Sequence, residues 1–158
     1  MRIIRLYVLI LFSFALFSSY GNEVDSLKIL YTDAKTDSQK IDLLLKLTNK
    51  VRLFSNTEAL SYVKKAHQKA IDLPHELGVA ESLYLLGRLS YSRSEHDSAL
   101  IYFQQGLQHY KQLQNNSGIG DCLVGIGDYY YFVDNYNLAE EFYLESIVFC
   151  MAALSFAF

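Results

Sequence analysis

Two stretches of this chain decide its fold, because they are variants of one pattern. "GRLSYSRSEHDSALIYF" (Gly87–Phe103) and "GDYYYFVDNYNLAEEFY" (Gly127–Tyr143) each begin with glycine, carry alanine twelve residues later and end on an aromatic residue. Their first residues are forty positions apart. Self-similarity at a fixed interval of this length is typical of stacked structural units. The sequence therefore predicts a repeat protein.

The same forty-residue register extends to small and large residues on both sides of these stretches. One period earlier it is weaker but still present, in Leu43, Ala59 and Ala66. The matched pairs are Gly78 with Gly118, Leu83 with Leu123, Leu86 with Ile126, Tyr91 with Tyr131, Ala99 with Ala139, and Tyr102 with Phe142. We therefore expect about three copies of the unit.

Each copy predicts two antiparallel helices, because its apolar and small residues form two stripes at helical spacing. Ser55–Glu58 and Ser94–Asp97 place a hydroxyl three residues before an acid, which is a helix-capping pattern, and Asp134 can cap the last helix. The predicted helices cover 38–53, 56–72, 76–92, 95–112, 116–132 and 135 onward. The predicted divisions are a signal peptide at 1–21, an N-terminal helix or half repeat at 22–37, helix pairs at 38–75, 76–115 and 116–150, and an apolar tail at 151–158.

Glycines inside two of the predicted helices require a structural reason. A helical glycine costs about 1 kcal/mol relative to alanine. We expect Gly87 and Gly127 to let the partner helix approach closely, with Ala99 and Ala139 as the matching small residues on that partner.

The first twenty-one residues match a secretory signal peptide. "MRIIR" is basic, the run from Leu6 to Phe17 is apolar, and the small residues Ser19 and Gly21 precede the predicted cleavage point. The apolar run is short for a bilayer span. The sequence predicts export, and a short retained anchor is the alternative.

Composition and charge limit the classes of function. A hydrophobic fraction of 51% with one proline in 158 residues indicates a folded domain of long, unbroken elements. Without the predicted signal peptide, 12 basic residues stand against 17 acidic ones. Such a chain lacks the positive surface that nucleic-acid binding requires, so we expect no nucleic-acid contact.

No catalytic or cofactor site is predicted. His67, His75, His96 and His109 have no metal-binding spacing, and each is interpreted as an exposed helix or loop residue. "GIGDCLVGIG" (118–127) has glycines spaced as in a phosphate-binding loop but lacks the lysine that such a loop requires. We expect no enzyme activity, no cofactor and no metal.

The two cysteines lie at similar heights on the predicted last helix pair. Cys122 is about twelve residues before the turn near Asp134, and Cys150 is about sixteen after it. A disulfide is one outcome in an oxidising compartment. Two buried thiols are the simpler interpretation.

The repeat resembles the tetratricopeptide repeat over about residues 38–150. Leu-Gly or Ile-Gly on a first helix, as at Gly87 and Gly127, then alanine and an aromatic residue on a second helix, are similar to that family's pattern. The chain departs from the pattern in lacking tryptophan, and its period exceeds the usual thirty-four residues. The resemblance implies an all-α, right-handed superhelical solenoid of antiparallel helix pairs. With the predicted signal peptide, the chain resembles the exported repeat regions of bacterial sensor kinases and membrane-tethered transcription regulators, which implies a periplasmic or extracytoplasmic location.

The resemblance also implies that a protein or peptide partner binds along the concave surface of the first helices. A second stripe on these helices combines tyrosine with charged residues, which suits peptide recognition. The predicted partner-binding residues are Glu81, Tyr84, Arg88, Tyr91, Asp121, Val124, Asp128 and Tyr131. The chain is then the sensing or docking part of a signalling protein. The alternatives are an assembly protein of the cell envelope and a solvated helix face without a partner.

The last thirteen residues, "SIVFCMAALSFAF" (146–158), contain no charged side chain. A complete solenoid normally ends in a helix with a polar outer face. We therefore expect a truncated array and self-association through the C-terminal helix.

Overall fold

The computed structural model describes residues 22–155, and this part of the chain is all-α, with seven helices and no strand. The predicted signal peptide and the last three residues of the predicted tail lie outside the described residues. The helices are α1 (22–33), α2 (Asp37–Val51), α3 (Asn56–Asp72), α4 (Glu76–Ser92), α5 (His96–Gln112), α6 (Asn116–Phe132) and α7 (Tyr136–Ser155).

Helices α3 to α7 begin at twenty-residue intervals, at positions 56, 76, 96, 116 and 136. The helix limits predicted from the apolar stripes are confirmed to within two residues. Two helices thus occupy each forty-residue interval, and the pattern is compatible with a helical repeat fold.

The order of packing places the helices in two layers. From α2 onward, each helix packs against the next one in the chain. The pairs α2–α4 and α4–α6 are also in contact, whereas α3 does not touch α5 and α5 does not touch α7. The first helices of successive pairs therefore lie close together on one side of the array, and the second helices are farther apart on the other.

The helix connections repeat one backbone geometry. Ser94, Gln114 and Asp134 all have positive φ, at 62°, 52° and 60°. After each of them the next residue donates its N–H to a carbonyl five residues back, for example Asn115 to Tyr110 at 3.0 Å. This is the Schellman ending, which satisfies carbonyls that the helix leaves unpaired.

This geometry corrects two of the predicted caps. Ser55 caps α3 as expected, since its hydroxyl accepts the N–H of Glu58. Ser94 and Asp134 adopt the left-handed turn instead, so the N-cap position falls one residue later. Asn135 accepts the N–H of Leu138, and α5 has no side-chain cap.

Helix packing explains the helical glycines. A Cβ at Gly87 would lie 2.7 Å from the ring of Phe103, and one at Gly127 would lie 2.6 Å from the ring of Tyr143. An aromatic ring from the following helix therefore packs against each of these glycines. Ala99 and Ala139 are buried on the same partner helices, and the rings of Phe103 and Tyr143 provide the atoms nearest to the two glycines.

Helix α1 covers the first pair. Val24 is buried in the same cluster as Ile41 and Leu44 of α2. An ion pair of 3.1 Å joins Nζ of Lys28 to Oε1 of Glu58 on α3. These contacts extend the core to the beginning of the described chain.

Candidate functional site

A cleft of about 320 Å³ lies where α4 and α6 meet the connection between α2 and α3. Its position follows from the layer arrangement, because the first helices of three successive pairs converge there. Its lining residues are Arg52, Asn56, Tyr84, Arg88, Leu89, Tyr91, Ser92, Phe103, Asp121, Val124, Gly125 and Asp128. The volume is at the small end of the range for ligand pockets.

Six of the eight residues predicted from the tyrosine and charge stripe line this cleft. They are Tyr84, Arg88, Tyr91, Asp121, Val124 and Asp128. Glu81 is half-buried outside it. Tyr131 is 60% exposed and packs edge-on against Tyr136, so it also lies outside the lining.

Arg52 and Asn56 line the cleft without having been predicted. Arg52 is the C-cap of α2 and Asn56 is the first residue of α3. They belong to a helix connection, where no stripe exists to mark them. Only the packing of α2 beside α4 brings them to the cleft.

The two arginines of the cleft interact mainly with neutral groups. Arg88 donates from Nη1 to the hydroxyl of Tyr84 at 3.1 Å, and its Cζ lies 5.8 Å from the centre of the same ring. Arg52 donates from Nε to Oδ1 of Asn49 at 3.4 Å. Among the described side chains, neither arginine forms an ion pair with a carboxylate. Loss of hydration lowers the pKa of Arg52, and the nearby charge of Arg88 lowers it further.

The two aspartates of the cleft lie on one face of α6, seven residues apart. Asp128 accepts a hydrogen bond of 2.8 Å from the hydroxyl of Tyr143. Loss of hydration raises the pKa of Asp121, which Arg88 partly offsets. The cleft therefore combines two guanidinium groups, two carboxylates and two tyrosine rings, which can recognise a charged polypeptide segment.

The histidines take structural positions rather than the exposed ones predicted. His75 caps α4, accepting the N–H of Gly78 at its Nδ1. His96 stacks on Phe132, with 3.6 Å between ring centres. All four histidines are half-buried, so the prediction of exposed histidines is wrong.

The other two histidines, His67 and His109, lie on α3 and α5. Nδ1 of His67 lies 2.8 Å from the hydroxyl of Ser82. That hydroxyl donates to a backbone carbonyl of its own helix, so it is not poised as a nucleophile. Nδ1 of His109 lies 3.4 Å from Oε2 of Glu76 without forming a hydrogen bond.

Cys122 and Cys150 are both free. Cys122 is fully buried, with its Sγ facing Gly106, whereas Cys150 is exposed and its Sγ faces Gly120. The expectation of two buried thiols is therefore right for Cys122 and wrong for Cys150. The two sulfur atoms lie against different neighbours because Cys122 faces α5 and Cys150 faces α6.

No known protein family and no curated protein sequence matches this chain. Within residues 22–155, none of the helices combines the length and the hydrophobicity that crossing a bilayer requires. In the same range, no group of three or more His, Cys, Asp or Glu side chains is arranged to hold a metal ion.

Proposed function

We propose that this chain is a non-catalytic protein- or peptide-binding repeat domain. The observation that supports this most directly is the cleft between the first helices of successive pairs. Tyrosine rings there offer rigid apolar area with a polar tip, and arginine supplies directional hydrogen bonds. Both residue types are enriched at binding hot spots.

The fold that we propose in detail is a right-handed superhelical solenoid similar to the tetratricopeptide repeat. The twenty-residue spacing of helix starts and the contacts α2–α4 and α4–α6 support this assignment. In such arrays the curvature of stacked repeats creates an extended concave surface. Under this proposal, the cleft between α4 and α6 lies on that concave surface.

The cellular setting is part of the proposal. The order of basic, apolar and small residues in 1–21 supports export to the periplasmic side of a bacterial membrane. We expect the domain to sense or dock a partner within a larger signalling protein, without a cofactor and without nucleic-acid contact. The second candidate is an assembly protein of the cell envelope, which the exposed apolar side chains of α7 favour.

An unbiased peptide selection tests the binding function. Random peptides are selected on the purified chain, and their affinities are then measured for the wild type and for Val124→Glu. Val124 is 40% exposed in the cleft, so the substitution puts a charge there without disturbing the core. We expect at least a tenfold loss of affinity.

A matched control separates this effect from a general effect of charge. Ile101, which is 53% exposed on α5 and lies outside the cleft, is changed to glutamate in the same way. Unchanged binding by Ile101→Glu, with equal helicity of both variants by circular dichroism, assigns the loss to the cleft. If the selected peptides bind Val124→Glu as tightly as the wild type, the cleft is not the binding site.

A further inference from the structure

The charges of the cleft are segregated between its walls. Arg52 is the C-cap of α2 and Arg88 lies on α4, whereas Asp121 and Asp128 lie on α6. Neither arginine forms an ion pair with a described carboxylate. The free protein therefore holds two guanidinium groups in the cleft that no ion pair joins to a described carboxylate, although the charge of Arg88 acts on Asp121.

Arginine pairs of this kind suit a carboxylate ligand. A guanidinium group presents a planar set of donors that matches carboxylate geometry, and charge-assisted hydrogen bonds are about twice as strong as neutral ones. The charge of Arg88 acts on Arg52, so an anion placed between them would relieve a repulsion as well as gain hydrogen bonds.

The aspartates make phosphate a poor candidate for the same position. A phosphate group has a charge of about −1.5 to −2 at neutral pH, and Asp121 and Asp128 line the same small cleft. A single carboxylate carries less negative charge than a phosphate, so the two aspartates repel it less. The same two aspartates can bind a cation, and Asp128 retains acceptor capacity after its bond to Tyr143.

We propose that the cleft binds an extended peptide segment that presents a carboxylate to Arg52 and Arg88 and a basic side chain to Asp121 and Asp128. This inference rests on the proposed peptide-binding function and adds the charge pattern of the ligand. The exposed side chain of Val124, which lies between Asp121 and Asp128 along α6, offers an apolar contact beside them. Asn56 and Ser92 supply polar groups for the peptide backbone.

The size of the cleft limits the segment to a few residues. The cleft volume of about 320 Å³ admits only a short segment. The test therefore varies the number of residues between the acidic and the basic side chain of the ligand from one to four.

Capped synthetic peptides test the charge pattern. The probes carry glutamate and lysine separated by one to four residues of leucine and alanine, with blocked termini. For each spacing, versions are made with Gln for Glu, with Gln for Lys, and with Gln for both. A further version with Gln for both and a free C terminus distinguishes a terminal carboxylate from a side-chain carboxylate.

Affinities are measured by NMR titration of the full-length chain. At the best spacing, we expect the Glu/Lys peptide to bind at least tenfold more tightly than the double-Gln version. Arg52→Gln and Arg88→Gln should each weaken the Glu/Lys peptide about fivefold or more, and should leave the affinity of the peptide that has Gln for Glu unchanged. Asp128→Asn should weaken the binding of peptides that contain lysine and should leave the affinity of the peptide that has Gln for Lys unchanged.

The control variant is Arg93→Gln. Arg93 is at the C-terminal end of α4 and is ion-paired with Glu95 at 2.9 Å, outside the cleft lining. The same change in affinity for Arg93→Gln as for Arg88→Gln would overturn the assignment of the carboxylate to the cleft.

Two outcomes separate this inference from the function on which it rests. If the charged peptides fail to bind but peptides from the unbiased selection bind at the cleft, the charge assignment is wrong and the binding function stands. If neither set binds, both are wrong. Equal binding of the charged and double-Gln peptides also overturns the charge assignment alone.

Discussion

The ring of Phe103 on α5 occupies the space that a side chain at Gly87 on α4 would need, with 2.7 Å between the ring and a Cβ built at that position. The same relationship recurs one period later between Tyr143 and Gly127, at 2.6 Å. Each pair is separated by sixteen residues in the sequence. The repeated glycine and aromatic residue therefore correspond to one contact made twice.

The first prediction follows from this contact. Gly87→Ala should destabilise the protein by about 1–3 kcal/mol, because the added methyl group displaces the ring of Phe103. The sign is informative, since alanine is favoured over glycine in an unconstrained helix by about 1 kcal/mol. Urea denaturation midpoints measure the effect.

Ser98→Ala on the exposed face of α5 is the control for this series and should change stability by less than about 0.5 kcal/mol. Gly127→Leu should cost more than Gly87→Ala, because a larger side chain meets the ring of Tyr143. An increase in stability for Gly87→Ala would show that the ring does not set the spacing of α4 and α5.

The second prediction concerns the thiols. Burial raises the pKa of Cys122 to about 12, so this thiol stays protonated at neutral pH. The residue is also fully buried, whereas Cys150 is exposed. A thiol-specific chromogenic reagent should therefore modify one thiol per chain in the folded state and two in denaturant.

Cys150→Ser provides the control for thiol modification and should abolish the fast reaction in the folded protein. A non-reactive wild-type chain that regains two thiols only after reduction would instead indicate a disulfide.

The third prediction is a pH dependence that belongs to His67. Burial lowers the pKa of this residue below its usual value, and the charge of His109 lowers it further. The unfolded chain therefore takes up the proton more readily than the folded one. The contribution of neutral His67 to the free energy of unfolding is fully present above about pH 6.5, the usual pKa of histidine. This contribution is lost as the pH falls below that value.

His67→Gln should lose this part of the pH dependence. The change in denaturation midpoint between pH 7.5 and pH 5.5 should be a larger decrease in the wild type than in the variant. Loss of hydration is the main cause of the raised pKa values of Glu81 and Asp121. These two groups change stability with pH in the opposite direction to His67. Because they do so in the wild type and in the variant alike, their contribution cancels in the comparison. Identical pH profiles would contradict a role for His67.

The fourth prediction is self-association through α7. Leu144, Val148 and Met151 are 57%, 65% and 65% exposed. The positions forty residues earlier are Gln104, Gln108 and Lys111, which are exposed on α5 although α4 and α6 flank that helix. A following helix, packed on α7 as α6 packs on α5, would therefore leave these apolar side chains uncovered.

We expect a second copy of the chain to cover this surface. At about 25 cal/mol per Å², a few hundred Å² of buried apolar surface contributes several kcal/mol. Sedimentation at micromolar concentration should show dimers or larger species for the wild type and a shift toward monomer for Val148→Lys. Ile101→Lys, at a 53% exposed apolar site on α5, should not change the distribution. A wild-type monomer would contradict this prediction.

Most of the local structure could be predicted because its signals are local. Helix limits follow from apolar residues at helical spacing, and the spacing on α4 placed Tyr84, Arg88 and Tyr91 on one face. The caps were wrongly assigned to Ser94 and Asp134, because these left-handed residues precede the N-cap positions and the sequence pattern of a cap does not indicate φ.

The sequence by itself determined the number and limits of the helices within the described residues and a stripe of eight residues, six of which line the cleft. Both depend on periodicity along one helix, which neighbouring residues encode. Only the tertiary structure decided that Arg52 lines the same cleft as Arg88, that the ring of Phe103 is the nearest group to Gly87, and that Cys122 is buried while Cys150 is not. These relationships depend on the rotation and separation of packed helices, which follow from how side chains on different elements fill space together.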